Sequence, residues 1–415
     1  IFFLSFSTPN FPGVVFIMKV RTVTAFVSLT GAFDESYVSA ALEFLKAHSA
    51  ILENEGNFEV QTTRLVFNDP SEWLLNVKVG EPVSLKNDVL NSLGALLDKH
   101  GVSFCSLGRL PSKYADVAPA MILANERFNV SVNVKKADVE GALRVAEACK
   151  NIAENTDGGL GNFRFCASSN FDNDSCCPFF PASFAPSVAH NATEQAVSFA
   201  IGLENGSDFQ QACSQAATLK HLGREIAAVF SPALNEIERL CLRAEAETNA
   251  SAYKIVYAGI DTSLNPALGN EGSIAYGFNR LKEVKKFGSE GASLAAVAEA
   301  ATACQDGFKG IRLCGYCGCM LPLCEDEGLA LSDLNARDLL SLSSTCGVGV
   351  DTLPLGLNDL DVDKLAFLYL DAAAVAFRKQ RHLSVRVFPV PGLSSGQATT
   401  FDNPYLTNSK CRGLN

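Results

Sequence analysis

Apolar positions along this chain switch repeatedly between a two-residue rhythm and the three-and-four spacing of an amphipathic helix. β-Branched and aromatic alternation predicts strands at Val20 to Leu29, Phe58 to Phe67, Val102 to Cys105, Arg127 to Val134 and Asn162 to Ala167. Helical spacing between them predicts helices at Ser36 to Asn54, Val83 to His100, Ser112 to Asn125 and Ala137 to Glu154. After a long loop the pattern resumes with a strand at Ala196 to Leu203. A helical stretch from Asp208 to Ala246 follows, expected to break near Ser231 and Pro232, and then a strand at Tyr253 to Asp261. Helices over Ser273 to Lys285, Ser293 to Cys304 and Val362 to Phe377 precede a last strand at Ser384 to Pro389. Such βαβα order implies a largely parallel sheet with right-handed crossovers. No internal repeat or charged linker divides the chain, so residues 18–415 are expected to form a single domain.

Two stretches depart from this rhythm. Ile1 to Ile17 is apolar but is interrupted by Pro9 and Pro12 and lacks a basic start or a cleavage site. It reads as a non-native or disordered leader ahead of Met18. Ser168 to Thr193 is rich in Ser, Asn, Pro and Phe, and its phenylalanines predict a loop packed across the end of a barrel or sheet. Asn170, Asp172 and Asp174 in that loop are candidate ligand contacts if it closes as a lid, with ordinary turn chemistry as the alternative.

Composition narrows the function classes. With 415 residues and 47% hydrophobic content the chain can bury a large core, and no segment is long and apolar enough to suggest a membrane helix. A net charge of -11 without a basic run argues against nucleic acid and anionic membranes as partners. Fourteen cysteines are too sparse for a disulfide scaffold and read as free thiols of a cytoplasmic protein, against which stand four sequons at Asn129, Asn191, Asn205 and Asn249.

Seven ordered segments carry a family resemblance: VRTVTAFVSL (20–29), VQTTRLVFN (60–68), NFRFCASSNFD (162–172), YKIVYAGIDTSLNPA (253–267), CEDEGLALSD (324–333), CGVGVDTLPL (346–355) and SVRVFPVPG (384–392). Together they resemble the domain-of-unknown-function 711 family. The resemblance implies an α/β fold of the pyruvate formate-lyase-like kind, a barrel of two largely parallel half-sheets surrounded by helices and enclosing a loop. It implies no substrate, because the chemistry of the family is unassigned. The cysteines at 314, 317, 319 and 324 depart from the family's usual pattern, so no role for them is implied.

Candidate chemistry follows from residue type and spacing. Cys346, in a turn between glycines and near Asp351, is a candidate nucleophile, with an inert packed thiol as the alternative. Glu325, Asp326 and Glu327 supply carboxylates for acid–base work or simply open a helix. Arg21 and Arg64 fall inside strands, where a guanidinium is costly unless paired with a residue such as Asp261 or Asp351, or unless it faces a cavity and binds an anion. Cys314, Cys317, Cys319 and Cys324 have a spacing that thiolate–metal sites use, but packed thiols are preferred and no metal is assigned. The C-terminal Arg386-Val387-Phe388-Pro389 places proline where a glycyl-radical motif needs glycine, which argues against radical chemistry. Walker and dinucleotide motifs are absent, so the cofactor stays open. The expectation is a non-radical enzyme acting on a small anionic metabolite, a carboxylate or phosphate. Cys346, Glu325 and Asp351 are its catalytic candidates, and Arg21, Arg64, Asn170 and Asp261 its ligand-binding candidates. The alternative is a non-catalytic ligand-binding or oligomeric scaffold protein, and homo-oligomerisation is left open.

Overall fold

The computed structural model describes residues 17–170, 176–186, 195–247 and 253–414. Nearly all of the expected leader, together with Asp172, Asp174, Asn191 and Asn249, lies outside these residues. Nine strands form one sheet: β1 (Lys19–Val27), β2 (Thr63–Phe67), β3 (Phe104–Pro111), β4 (Phe128–Asn133), β5 (Phe165–Ser169), β6 (Ala196–Glu204), β7 (Lys254–Asp261), β8 (Gly349–Gly356) and β9 (Leu383–Val390). Their spatial order is β8-β9-β5-β4-β3-β2-β1-β6-β7. Strands β5 to β1 run mutually parallel, as do the pairs β9–β8 and β6–β7. The joins β5–β9 and β1–β6 are antiparallel. The molecule is therefore a mixed α/β protein with a large, mostly parallel sheet surrounded by helices.

Side-chain alternation gives the sheet two different faces. Val23, Ala25 and Val27 of β1, Leu65 and Phe67 of β2, and Phe199 and Ile201 of β6 join the main core with the helices. Chief among these are α1 (Glu35–Asn54), α2 (Val139–Glu154), α3 (Leu219–Glu247) and α4 (Val362–Lys379). The interleaved Phe26, Val66 and Ala200 form a separate cluster with Cys176 and Ala185. Residues 176–186 thus lie against the inner face, tied there by Thr24 Oγ1 donating to the Pro178 carbonyl (3.3 Å), Ser106 Oγ to the Ser183 carbonyl (2.7 Å) and the Ala185 amide to the Phe67 carbonyl (2.9 Å).

The edge strands β7 and β8 are joined in a different way. The glycine- and cysteine-rich segment 312–323 makes isolated parallel bridges, Leu313 with Ile260 and Cys319 with Leu264 on one side and Pro322 with Asp351 on the other. Asp261 anchors it: fully buried, it accepts from the amides of Tyr316 (2.8 Å) and Cys317 (3.0 Å) and from the Ser263 hydroxyl (2.6 Å).

Several boundaries differ from the sequence reading. The helical stretch after β6 breaks at Ala217, which takes the left-handed conformation (φ 55°), and continues unbroken through Pro232. The expected helix over Ser273 to Lys285 is helical only over Ile274–Phe278 and then becomes a short hairpin, Val284–Lys286 with Glu290–Gly291. The stretch around Cys346 holds the end of a helix, Ala336–Cys346, and the start of β8. Of the sequons, Asn129 and Asn205 are buried, with their amides donating to the carbonyls of Arg127 and Ser263.

Two neighbouring glycines test the packing between that helix and β8. Gly347 (φ 74°) ends the helix where a Cβ would meet Gln305 Nε2 and Gly318 Cα only at ordinary contact distance (3.5 and 3.8 Å), whereas a Cβ on Gly349 (φ 127°) would collide with the backbone carbonyl of Ser384 in β9. Gly347→Ala is expected to cost about 1 kcal/mol. Gly349→Ala should cost about 3 kcal/mol or more, because the atom it meets is backbone that cannot move aside. Urea unfolding of the two variants checks the difference.

Candidate functional site

The inner face is polar where the sheet approaches β8 and β9. Arg64 and Val66 are the inward positions of β2, and Arg64 is buried. Arg21 is the unpaired residue of a register shift between Val20 and Thr22 in the β1–β6 ladder, a bulge that re-aims a side chain out of the regular pleat. Arg386 belongs to β9. Asp351 lies in a second irregularity of the β8–β9 register, and Glu325 follows the 312–323 segment directly. These five residues line one narrow cleft, walled by Phe104, Phe163, Phe179, Phe180 and Tyr405. Its free volume is about 60 Å³, and Arg21, Glu325 and Tyr405 also line an outer vestibule of about 550 Å³.

The three arginines are held in different ways. Arg386 is clamped: its Nε and Nη2 reach the two oxygens of Asp351 (2.6 and 3.0 Å), and Nη2 also reaches Glu325 (2.7 Å). Burial alone would lower its basicity, but Asp351 and Glu325 hold it above the ordinary guanidinium range. Arg21 pairs with Glu204 (3.2 Å) and donates to Gln61 Oε1 (2.8 Å), while Gln61 Nε2 donates to Glu204 (2.8 Å). Arg64 has no carboxylate partner among the described residues. Its Nε donates to Thr62 Oγ1 (3.1 Å), and its guanidinium lies 5.4 and 5.1 Å from the Phe104 and Phe180 ring centres. Burial, together with the neighbouring charges of Arg21 and Arg386, brings its pKa down to about 9, so it remains a cation at neutral pH.

The carboxylates divide as well. Asp351 is fixed by the two-point fork. Burial pushes Glu325 up and the Asp351 charge adds to that, with Arg386 opposing both. Counting Glu204, three guanidiniums meet three carboxylates, so a protonated Glu325 leaves one positive charge in excess. The neighbouring acids have other tasks. Asp326 is fully buried and accepts from Ser273 Oγ (2.6 Å) and the amides of Ile274 (2.6 Å) and Leu329 (3.0 Å), capping a short helix at Glu327–Ala330. Glu327 accepts from Thr407 Oγ1 (3.0 Å).

The fold brings Arg21, Arg64, Glu325 and Asp351 together, and it places three other sequence candidates elsewhere. Cys346 is fully buried outside the cleft lining, where the amides of Val348 and Gly349 point at its sulfur (3.3 and 3.5 Å) and burial raises its pKa. Burial of this kind disfavours the thiolate that a nucleophile requires, with the two amides opposing it. Asp261 serves as the anchor of the 312–323 segment, with its oxygens occupied by backbone donors. Asn170 takes a left-handed turn (φ 58°) and donates to the carbonyls of Ala376 and Arg381, both 3.3 Å away. Among the described residues no three of His, Cys, Asp and Glu are grouped to hold a metal ion; of the fourteen cysteines, Cys314 is half-buried and the rest are buried. Arg386 and Tyr405 are among the cleft residues that sequence reasoning missed, as are the phenylalanines of its wall. Arg386 alternates with Val385 and Val387 in β9, the same cation-in-strand signal that flagged Arg21 and Arg64. Tyr405 lies in a tail without periodicity and carried no signal.

An α/β protein with a cation-lined cleft on the inner face of a mostly parallel sheet is the class these features define. The chain belongs to the family described as Uncharacterised ACR (DUF711), whose model matches residues 16–403. It is similar to a UPF0210 protein of Bifidobacterium longum strain DJO10A, 25% identical over 66% of this chain and 59% of that protein. It is also similar to a UPF0210 protein of Methanopyrus kandleri, 23% identical over 67% of this chain and 58% of the relative. The chain therefore spans about six tenths of the length of these two relatives. A UPF0210 protein of Carboxydothermus hydrogenoformans is 22% identical over 92% of this chain and 88% of its own length.

The contrast between two buried arginines is open to measurement. Arg386→Met leaves Asp351 and Glu325 facing each other without a cation and should cost about 3–5 kcal/mol. Arg64→Met removes a buried cation that has no carboxylate partner and should change stability by no more than about 1 kcal/mol, in either direction. Equal losses in chemical denaturation would contradict this division of roles.

Proposed function

We propose that the cleft binds a small anionic metabolite, a carboxylate or phosphate, on Arg64, with Arg21 beside it and Glu325 available for proton transfer. The observation that carries this reading is the buried guanidinium of Arg64, which has no carboxylate partner among the described residues. Burying such a charge costs stability, and a bound anion offsets that cost. Arg386 and Asp351 position Glu325, and one Glu325 oxygen accepts from Arg386. A carboxyl group whose pKa burial raises above the ordinary glutamate range is suited to polar acid–base chemistry. The alternative, a non-catalytic ligand-binding or scaffold protein, is supported by the small free volume of the inner cleft and by the engagement of both acids with Arg386.

The same reading extends to fold and setting. We take the nine strands and segment 312–323 as the two half-sheets of a pyruvate formate-lyase-like barrel around residues 176–186. The bridges from that segment to both edge strands support it, as do the antiparallel joins between the parallel groups. Fourteen cysteines without a disulfide support a cytoplasmic setting.

Binding is tested by calorimetric titration of acetate, malonate and inorganic phosphate. Arg64→Met is expected to weaken the tightest of these by about tenfold or more, and unchanged affinity would contradict the proposal. A second test uses pH. The folded-state pKa of Glu325 is raised, so the folded chain holds this proton more tightly than the unfolded chain does. The stability that this proton contributes is complete below the ordinary glutamate range and is lost as pH rises through the raised value. Glu325→Gln cannot ionise, so its stability relative to the parent should rise as pH climbs above the ordinary glutamate range. A flat difference would contradict the raised pKa.

A further inference from the structure

We infer that the anion bound in the Arg64 cleft is a small hydroxy carboxylate, held by its hydroxyl as well as by its charge; this rests on the proposal that Arg64 binds an anion. Two asparagines carry the inference. Asn129 and Asn265 line the cleft together with Arg64 and are only 1% and 6% exposed. Asn129 alternates on β4 with Phe128, Val130 and Val132 of the main core, which turns its side chain to the inner face. Asn265 enters from the segment after β7, where its backbone amide donates to Asn205 Oδ1 (2.9 Å).

Each of these side-chain amides is half used. Asn129 Nδ2 donates to the Arg127 carbonyl (2.9 Å) and Asn265 Nδ2 to the Leu203 carbonyl (2.7 Å). Those bonds fix the orientation of both groups, since a flipped amide would set oxygen against oxygen. Both Oδ1 atoms are left without a donor among the described residues. A buried acceptor in that state costs stability until a donor reaches it. A carboxylate offers Arg64 acceptors only, so it cannot serve these oxygens, but a hydroxyl on the same ligand can. The hydroxyl donates without charge, whereas an ammonium would bring a further cation beside Arg21, Arg64 and Arg386. The single positive charge left when Glu325 is protonated matches a monocarboxylate rather than a phosphate dianion. Size agrees: the free volume is about 60 Å³, and at roughly 10–15 Å³ for each water-sized group the inner cleft holds about four to six heavy atoms, the range of glycolate and lactate.

The test is calorimetric titration of glycolate and of acetate, which lacks only the hydroxyl, into the parent chain. Glycolate is expected to bind about tenfold tighter, because a site built to hydrogen-bond a hydroxyl leaves its own groups unpaired with the analogue that lacks one. Neither amide titrates, so this preference should not change with pH. Asn129→Leu and Asn265→Leu each delete one amide oxygen, and at least one of them, with the parent circular dichroism spectrum, should bring the two affinities within about twofold. Glycine, with an ammonium in place of the hydroxyl, should bind no tighter than acetate. Equal binding of acetate and glycolate by the parent chain overturns this inference and leaves the reading of Arg64 intact. A preference that survives in both folded variants, a preference that varies with pH, or tighter binding of glycine or inorganic phosphate than of glycolate also overturns it. Absence of binding by all four anions overturns both readings.

Discussion

Burial of the Arg64 guanidinium without a carboxylate partner among the described residues is the constraint around which this molecule is arranged. Arg64 is held on the inner face of β2 by a pleat whose opposite positions, Leu65 and Phe67, are locked into the main core. A slip of one residue would put the charge among helices and the leucine in the cleft, so the packing energy of the outer face fixes the electrostatics of the inner one. Arg386, a few side chains away, shows the opposite arrangement: a cation just as buried, but clamped by two acids. Arg386 sets the geometry of Glu325 and Asp351, whereas Arg64 keeps its charge without a carboxylate partner among the described residues.

The irregular segments serve the same end. Bulges at Arg21 and at Asp351 turn charged side chains out of the pleat, and the 312–323 segment delivers Glu325 to the point where cleft and vestibule meet. Buried carboxylates hold that delivery in place. Asp261 gathers the amides of the glycine-cysteine stretch, and Asp326 ties the next turn to Ser273 and Ile274. Neither acid touches the cleft, yet both determine where Glu325 stands.

Much of this could be read from the sequence. The alternation in VRTVTAFV and TRLVF predicted the strands, and the cost of a charged residue within them singled out Arg21 and Arg64. The same argument applies to Arg386 in SVRVFPV, where a cation alternates with valines within a strand. Register is less visible, because a bulge depends on both partner strands and only one is read at a time. Cys346 and Asp261 were selected by their glycine-rich and strand-end settings, which identify a turn but not the side of the sheet it faces. Tyr405 comes from a tail with no periodicity, brought to the cleft wall by tertiary packing alone.

A crystal structure from bromide-containing solution, with anomalous scattering recorded at the bromine edge, tests the central claim most directly. The expected result is an anomalous peak in contact with the guanidinium of Arg64 on the side away from Thr62, with the Arg386 clamp on Asp351 and Glu325 unchanged. An Arg64 paired with a protein carboxylate, and no halide beside it, would contradict the account.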